Sequence, residues 1–126
     1  MANQIQVSNT AFATQGSWTW TLPQNSGSIV LNGQGFVSKL QNIGTSAEDL
    51  DYGDISAANA GLLFMRNVDA TNYVSWGMND SGTIKKVGRL NPAAEMFTQI
   101  RVEPGQQIML QANVAACNVE YYFLRN

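Results

Sequence analysis

Residues 62–78 read LLFMRNVDATNYVSWGM and place two apolar stretches on either side of a polar segment. Residues 62–65 are continuously apolar over the length of a strand, which is typical of a central strand covered on both faces. In residues 72–78, Val74, Trp76 and Met78 recur at every second position, which is the period of a β-strand. Asn and Asp between the two stretches can hydrogen-bond to their own backbone in a turn. The stretch therefore predicts two strands separated by a turn.

The same period of two extends along most of the chain. Residues 79–82 and 103–106 contain the turn residues of a hairpin and of a type II turn, respectively. Roughly eight to ten short strands, with turn signals between them, are typical of a sandwich or barrel. The predicted fold class is all-β: a single antiparallel β-sandwich, jelly-roll-like. We expect one domain over residues 1–126, with residues 1–15 as a candidate extended N-terminal arm.

Composition limits the classes of partner. The chain has 126 residues, a hydrophobic share of 44%, a charged share of 13% and a net charge of -2. A polar surface with few charges loses less hydration energy when subunits pack together. The basic residues are scattered, no apolar run approaches the ~20 residues of a membrane helix, and the first residues resemble no signal peptide. We expect no nucleic-acid and no membrane partner, and a buried, unpaired Cys117.

Catalysis has little support in the sequence. The chain contains no histidine, so the commonest general base and the commonest zinc ligand are both missing. No acidic residue stands in a recognisable catalytic motif, and we predict neither an enzyme nor a cofactor.

The acidic segment 48–54 offers oxygen ligands for a hard cation. Its metal candidates are Asp49, Asp51 and Asp54. The position of the glycine does not fit an EF-hand loop, and no glutamate closes the site at the required distance. A solvated turn with Leu50 and Tyr52 pointing inward explains the segment better, and we favour that interpretation over a metal site.

Four aromatic residues are candidates for binding: Trp18, Trp20, Trp76 and Tyr122. Trp18 and Trp20 share one strand face, whereas Tyr121 and Tyr122 point to opposite faces of the last strand. Burial in the core, burial between subunits and a flat platform for sugar rings all explain the tryptophans. The pattern leaves these three interpretations open.

Residues 63–77 resemble a pattern found in small tailed-phage virion proteins. There a strand ends in Arg-Asn, here Arg66-Asn67, and a second strand after a short turn reads Tyr-Val-x-x-Gly, here from Tyr73 to Gly77. Residues 90–95 and the closing Val119-Glu120-Tyr121 are similar as well. Ala93-Ala94 stand where the pattern has glycine, so we expect a longer turn there.

The resemblance implies a β-sandwich or jelly-roll subunit that decorates a capsid or belongs to a tail. The favoured function is a capsid decoration (cement) protein that stabilises the shell by bridging capsid subunits. A tail, neck or fibre-associated virion component is the first alternative, and a glycan-binding β-sandwich module is the second. The expected partners are the major capsid protein or other virion proteins and further copies of the chain, with a trimer favoured. The expected location is the virion, after synthesis in the host cytoplasm.

Overall fold

The computed structural model describes residues 3–23 and 26–126. The predicted all-β class is confirmed, since the described residues contain twelve strands and one short 3-10 turn at Ala57–Asn59. No helix among these residues has the length and apolar character needed to cross a membrane. Contacts divide the chain into two compact units, Met1–Asn32 and Gly33–Asn126.

The first unit contains four strands in two antiparallel ladders. The strands are β1 (Asn3–Ser8), β2 (Phe12–Gln15), β3 (Trp18–Thr21) and β4 (Ser26–Leu31). β1 pairs with β4 in an outer ladder, and β2 pairs with β3 in an inner ladder that turns at Gly16, where φ is +61°. Much of the candidate N-terminal arm, residues 1–15, is therefore paired strand.

The second unit is a β-sandwich of two four-stranded antiparallel sheets. Its strands are β5 (Phe36–Ile43), β6 (Glu48–Asp49), β7 (Ala60–Asn67), β8 (Val74–Asp80), β9 (Thr83–Leu90), β10 (Thr98–Arg101), β11 (Ile108–Ala112) and β12 (Cys117–Arg125). One sheet has the order β10-β7-β12-β5 and the other has the order β6-β11-β8-β9. The predicted antiparallel sandwich is confirmed. The jelly-roll connectivity and the extent of the domain over all residues stay predictions.

The sandwich core consists of the side chains that point inward at alternating positions along the strands, together with residues of the connecting loops. β7 lies between β10 and β12, as expected for a continuously apolar strand. On β12, Tyr121 and Phe123 are fully buried, and Cys117 is buried on the same face. Leu50 and Tyr52 also point into the core, as predicted from the acidic segment. Because side chains alternate along β12, Tyr122 lies on the opposite face of the sheet.

Two turns have the residues that their backbone requires. In the β8–β9 hairpin, Ser81 and Gly82 have φ values of 54° and 89°, which is the sign pattern of a type I′ turn. In the turn at residues 103–106, the Gln106 N–H donates to the Glu103 carbonyl at 3.0 Å, and Gly105 has φ 92°. The predicted hairpin and type II turn are both confirmed.

Ala93 and Ala94 occupy the turn in which the resembling pattern has glycine, and both are left-handed, with φ 67° and 49°. A residue with a Cβ loses roughly 1–2 kcal/mol of stability in this region. A glycine avoids this loss, but it also makes the unfolded chain more flexible, which offsets part of the gain. We expect Ala93→Gly to raise the free energy of unfolding by about 0.5 kcal/mol. Urea denaturation measures the free energy of unfolding, with Ala116→Gly as a control that is expected to destabilise the protein. A less stable Ala93→Gly protein would contradict this account of the turn.

Candidate interaction surfaces

The inner ladder exposes three aromatic side chains. Its register places Trp20 opposite Ala13 and Trp18 opposite Gln15, so both tryptophans lie on one face, while Phe12 lies opposite Thr21 on the other. Phe12 is 77% exposed, Trp18 54% and Trp20 43%. A two-stranded ladder has no second layer of its own with which to bury such side chains. We call Phe12, Trp18 and Trp20 the aromatic ladder surface.

The aromatic ladder surface lies in a part of the sequence without charged side chains. The first charged residue is Lys39, and all nine acidic and seven basic residues occur from there onward. Exposed strand edges usually have charges or prolines that oppose pairing with other chains. β2 and β3 contain neither, so a partner can cover them without stripping water from an ion.

Trp76 lies in the second unit, whereas Trp18 and Trp20 lie in the first. It stands directly opposite Gly88 across β8 and β9, and its indole Nε1 lies 2.6 Å from where a Cβ on Gly88 would stand. The half-buried indole packs against the sandwich core. Core packing therefore explains Trp76, and the glycan interpretation depends on Trp18 and Trp20.

Tyr122 lies at the centre of an aromatic group on the outer face of its sheet. Its ring stacks on that of Phe36 with centroids 6.1 Å apart, and the tilted ring of Phe97 is 5.6 Å away. The Arg66 guanidinium lies over the Phe97 ring, 4.5 Å from its centroid. Together with Glu120, these residues form what we call the Tyr122 cluster.

The charged groups of the Tyr122 cluster are hydrogen-bonded to other members of the cluster. Arg66 Nε donates to Glu120 Oε2 at 2.9 Å, and the Tyr122 hydroxyl donates to Glu120 Oε1 at 3.0 Å. The bond from Arg66, followed by the bond from Tyr122, holds the pKa of Glu120 below its ordinary value. The bond to Glu120 raises the pKa of Tyr122. The cluster thus presents aromatic area whose charged groups already have partners.

The lowered pKa of Glu120 predicts how stability depends on pH. A carboxyl with a lowered pKa stabilises the fold above its unfolded value and loses this contribution as pH falls through the folded value. We expect Glu120→Gln to lower the melting temperature at about pH 7 and to lower it less at about pH 3. Thermal unfolding, monitored by circular dichroism, measures the melting temperature at both pH values, with Glu103→Gln as an exposed control. An equal loss at both pH values would contradict the role given to the ionised carboxylate.

The acidic segment directs its carboxylates to different partners. Asp51 binds the Lys39 ammonium and accepts the Gly53 N–H at 2.8 Å, and the Lys39 bond lowers the pKa of Asp51. Asp49 Oδ1 accepts from Asn79 Nδ2 at 2.8 Å, and Asp54 is exposed. Among residues 3–23 and 26–126, no group of three or more acidic, His or Cys side chains could hold a metal ion. The arrangement fits the turn interpretation of this segment.

Protein-family models, curated proteins and solved structures give no match to this chain. The interpretation of function therefore depends on the surfaces described above and on the resemblance of residues 63–77.

Asn67 has a role that the sequence pattern did not reveal. It is 1% exposed, and its Nδ2 donates to the Asn72 carbonyl at 2.7 Å and to the Leu90 carbonyl at 3.3 Å. Its Oδ1 accepts the Asp69 N–H at 2.9 Å, and its carbonyl accepts the Ala94 N–H. One side chain thus joins the turn after β7 to the end of β9. The signal was a polar residue two positions after the apolar run 62–65, with Asp two positions later.

Proposed function

We propose that this chain is a non-catalytic structural protein of a tailed-phage particle, and that it acts as a capsid decoration (cement) protein. The observation that supports assembly is the aromatic ladder surface, which is exposed and lies in an uncharged segment. Large exposed apolar patches on a folded protein mark interaction sites. The phage setting comes from the resemblance of residues 63–77, and the proposed partners are the major capsid protein and further copies of the chain, with a trimer favoured.

In this proposal the protein strengthens the shell by bridging neighbouring capsid subunits. Each contact involves few charges and is individually weak. Repetition of the contact around a symmetric oligomer raises the effective affinity, because every attachment after the first is intramolecular. The β-sandwich supplies a rigid body, and no chemical step is required of it.

The proposal is tested by adding purified protein to particles that lack it. We expect saturable co-sedimentation with the shell and a higher temperature of shell disruption. Trp18→Ser/Trp20→Ser is expected to weaken co-sedimentation at least about tenfold, a change of about 1.4 kcal/mol. Val114→Ser, which changes a side chain 76% exposed in the second unit, is the matched control. Failure of the wild-type protein to bind would contradict the proposal, and binding to tails alone would favour the tail, neck or fibre alternative.

A glycan-binding module is the second candidate, favoured by the two tryptophans exposed on one face of β3. Aromatic rings exposed on one face of a strand offer apolar area on which sugar rings can stack. Titration of the tryptophan fluorescence with a panel of oligosaccharides tests it. Saturable quenching that disappears in Trp18→Ser/Trp20→Ser would support this candidate, and an unchanged spectrum over the whole panel would exclude it for those sugars.

A further inference from the structure

We infer that the aromatic ladder surface is the site at which copies of this chain associate, with Trp18 and Trp20 of one copy packing on the inner ladder of the next. The inference deepens the proposed function, on which it depends for the role in assembly. It commits the surface to one occupant, a second copy of the same chain. The weaker shell binding expected of Trp18→Ser/Trp20→Ser then follows from loss of the oligomer, because multivalent attachment depends on it.

The first support is the incomplete burial of the inner ladder. An isolated two-stranded ladder is marginally stable in water, and it becomes stable when a further strand or layer covers it. Large aromatic side chains bury about 150–250 Å² each when they are covered. Here all three are exposed, as is every residue of β3. A covering layer would therefore bury a large apolar area of the inner ladder.

The second support is the distribution of charge. Every charged side chain, and with them the net charge of -2, lies from Lys39 onward. Two copies that approach through their second units bring like net charges together, whereas two inner ladders have no charged side chain to oppose contact. A nucleic acid or a strongly charged protein would find no complementary charge on the inner ladder. An identical, uncharged ladder is the partner that this surface fits.

The third support is that aromatic side chains lie on both faces of the inner ladder. Trp18 and Trp20 lie on one face and Phe12 on the other. A two-fold dimer joined through the tryptophan face would leave Phe12 exposed. A head-to-tail contact covers both faces, since the tryptophan face of each copy meets the Phe12 face of the next. Such contacts form a closed ring when the rotation between copies closes, and an open filament when it does not. A finite oligomer such as the proposed trimer requires the closed form. The inference is therefore a closed ring of three or more copies.

The test is the molar mass of the purified full chain, measured by size-exclusion chromatography with light scattering from about 1 to 100 µM. We expect a mass of at least three copies for the wild type. Both Trp18→Ser/Trp20→Ser and Phe12→Ser are expected to shift the dissociation constant at least about tenfold toward monomer. Val114→Ser is expected to keep the wild-type mass. Circular dichroism and thermal unfolding establish that each variant is folded.

A second measurement does not depend on polar substitutions. In Trp76→Phe, fluorescence reports on Trp18 and Trp20 alone, and we expect acrylamide quenching to decrease as the protein concentration rises. A monomeric or dimeric wild type over the whole range, or a Trp18→Ser/Trp20→Ser protein with wild-type mass, would overturn the inference. A monomer that binds shells would overturn this inference alone, whereas a ring that binds no particle would overturn the proposed function alone.

Discussion

Tyr52→Ala is expected to lower the free energy of unfolding by about 3–5 kcal/mol, a large part of the stability of an ordinary domain. The Tyr52 ring is 5% exposed and stacks on Phe123 with centroids 4.3 Å apart. Its hydroxyl accepts the Ile108 N–H at 2.9 Å and donates to the Gln106 carbonyl at 3.2 Å. The substitution therefore leaves a cavity and removes two hydrogen bonds, one to the first residue of β11 and one to the turn that precedes it.

Two further variants separate these contributions in urea denaturation of the full chain. Tyr52→Phe keeps the ring and loses the hydroxyl, so we expect a smaller loss of about 1–3 kcal/mol. Burial raises the pKa of Tyr52 to about 12, so the hydroxyl stays protonated at neutral pH. Asp54→Asn, on an exposed residue of the same segment, is the control and is expected to have little effect. Equal losses for Tyr52→Ala and Tyr52→Phe would contradict the packing role of the ring.

Asn67→Ala is expected to lower the free energy of unfolding by about 3 kcal/mol, because it removes three hydrogen bonds from a buried side chain to buried and half-buried backbone groups. These groups are the Asn72 and Leu90 carbonyls and the Asp69 N–H. They lie in the turn after β7 and at the end of β9, so we expect amide hydrogen exchange to accelerate in both segments.

Asn42→Ala is the matched control for Asn67→Ala. Asn42 donates its side-chain amide to Asn118 Oδ1 at 3.0 Å, and that bond is exposed. Water can replace an exposed partner, so we expect a loss below about 0.5 kcal/mol. If Asn67→Ala cost no more than Asn42→Ala, the buried hydrogen bonds of Asn67 would not be needed for the fold.

The sequence was sufficient to predict the sandwich because its signals are local. A continuously apolar stretch at residues 62–65 predicted a central strand, and alternation in residues 72–78 predicted the next one. Both predictions are confirmed as β7 and β8. The turns at residues 79–82 and 103–106 were also predictable, since Gly and Pro restrict the backbone at defined positions.

The candidate surfaces were only partly predictable. Alternation placed Trp18 and Trp20 on one face of a strand, but a period of two does not tell whether another layer covers that face. The structure leaves both exposed, whereas Trp76, with similar neighbours in sequence, packs over Gly88. Asn67 escaped prediction because its partners Asn72 and Leu90 come together only in the folded chain.

We expect Trp18 and Trp20 to be covered when the protein is assembled on a particle. Hydroxyl-radical footprinting of particle-bound protein measures this directly, with the unfolded chain as the reference rate for each residue. We predict strong protection of Trp18 and Trp20 relative to Met96, which is 73% exposed in the second unit. Oxidation of both tryptophans at the rate of the unfolded chain in the particle-bound protein would contradict the claim.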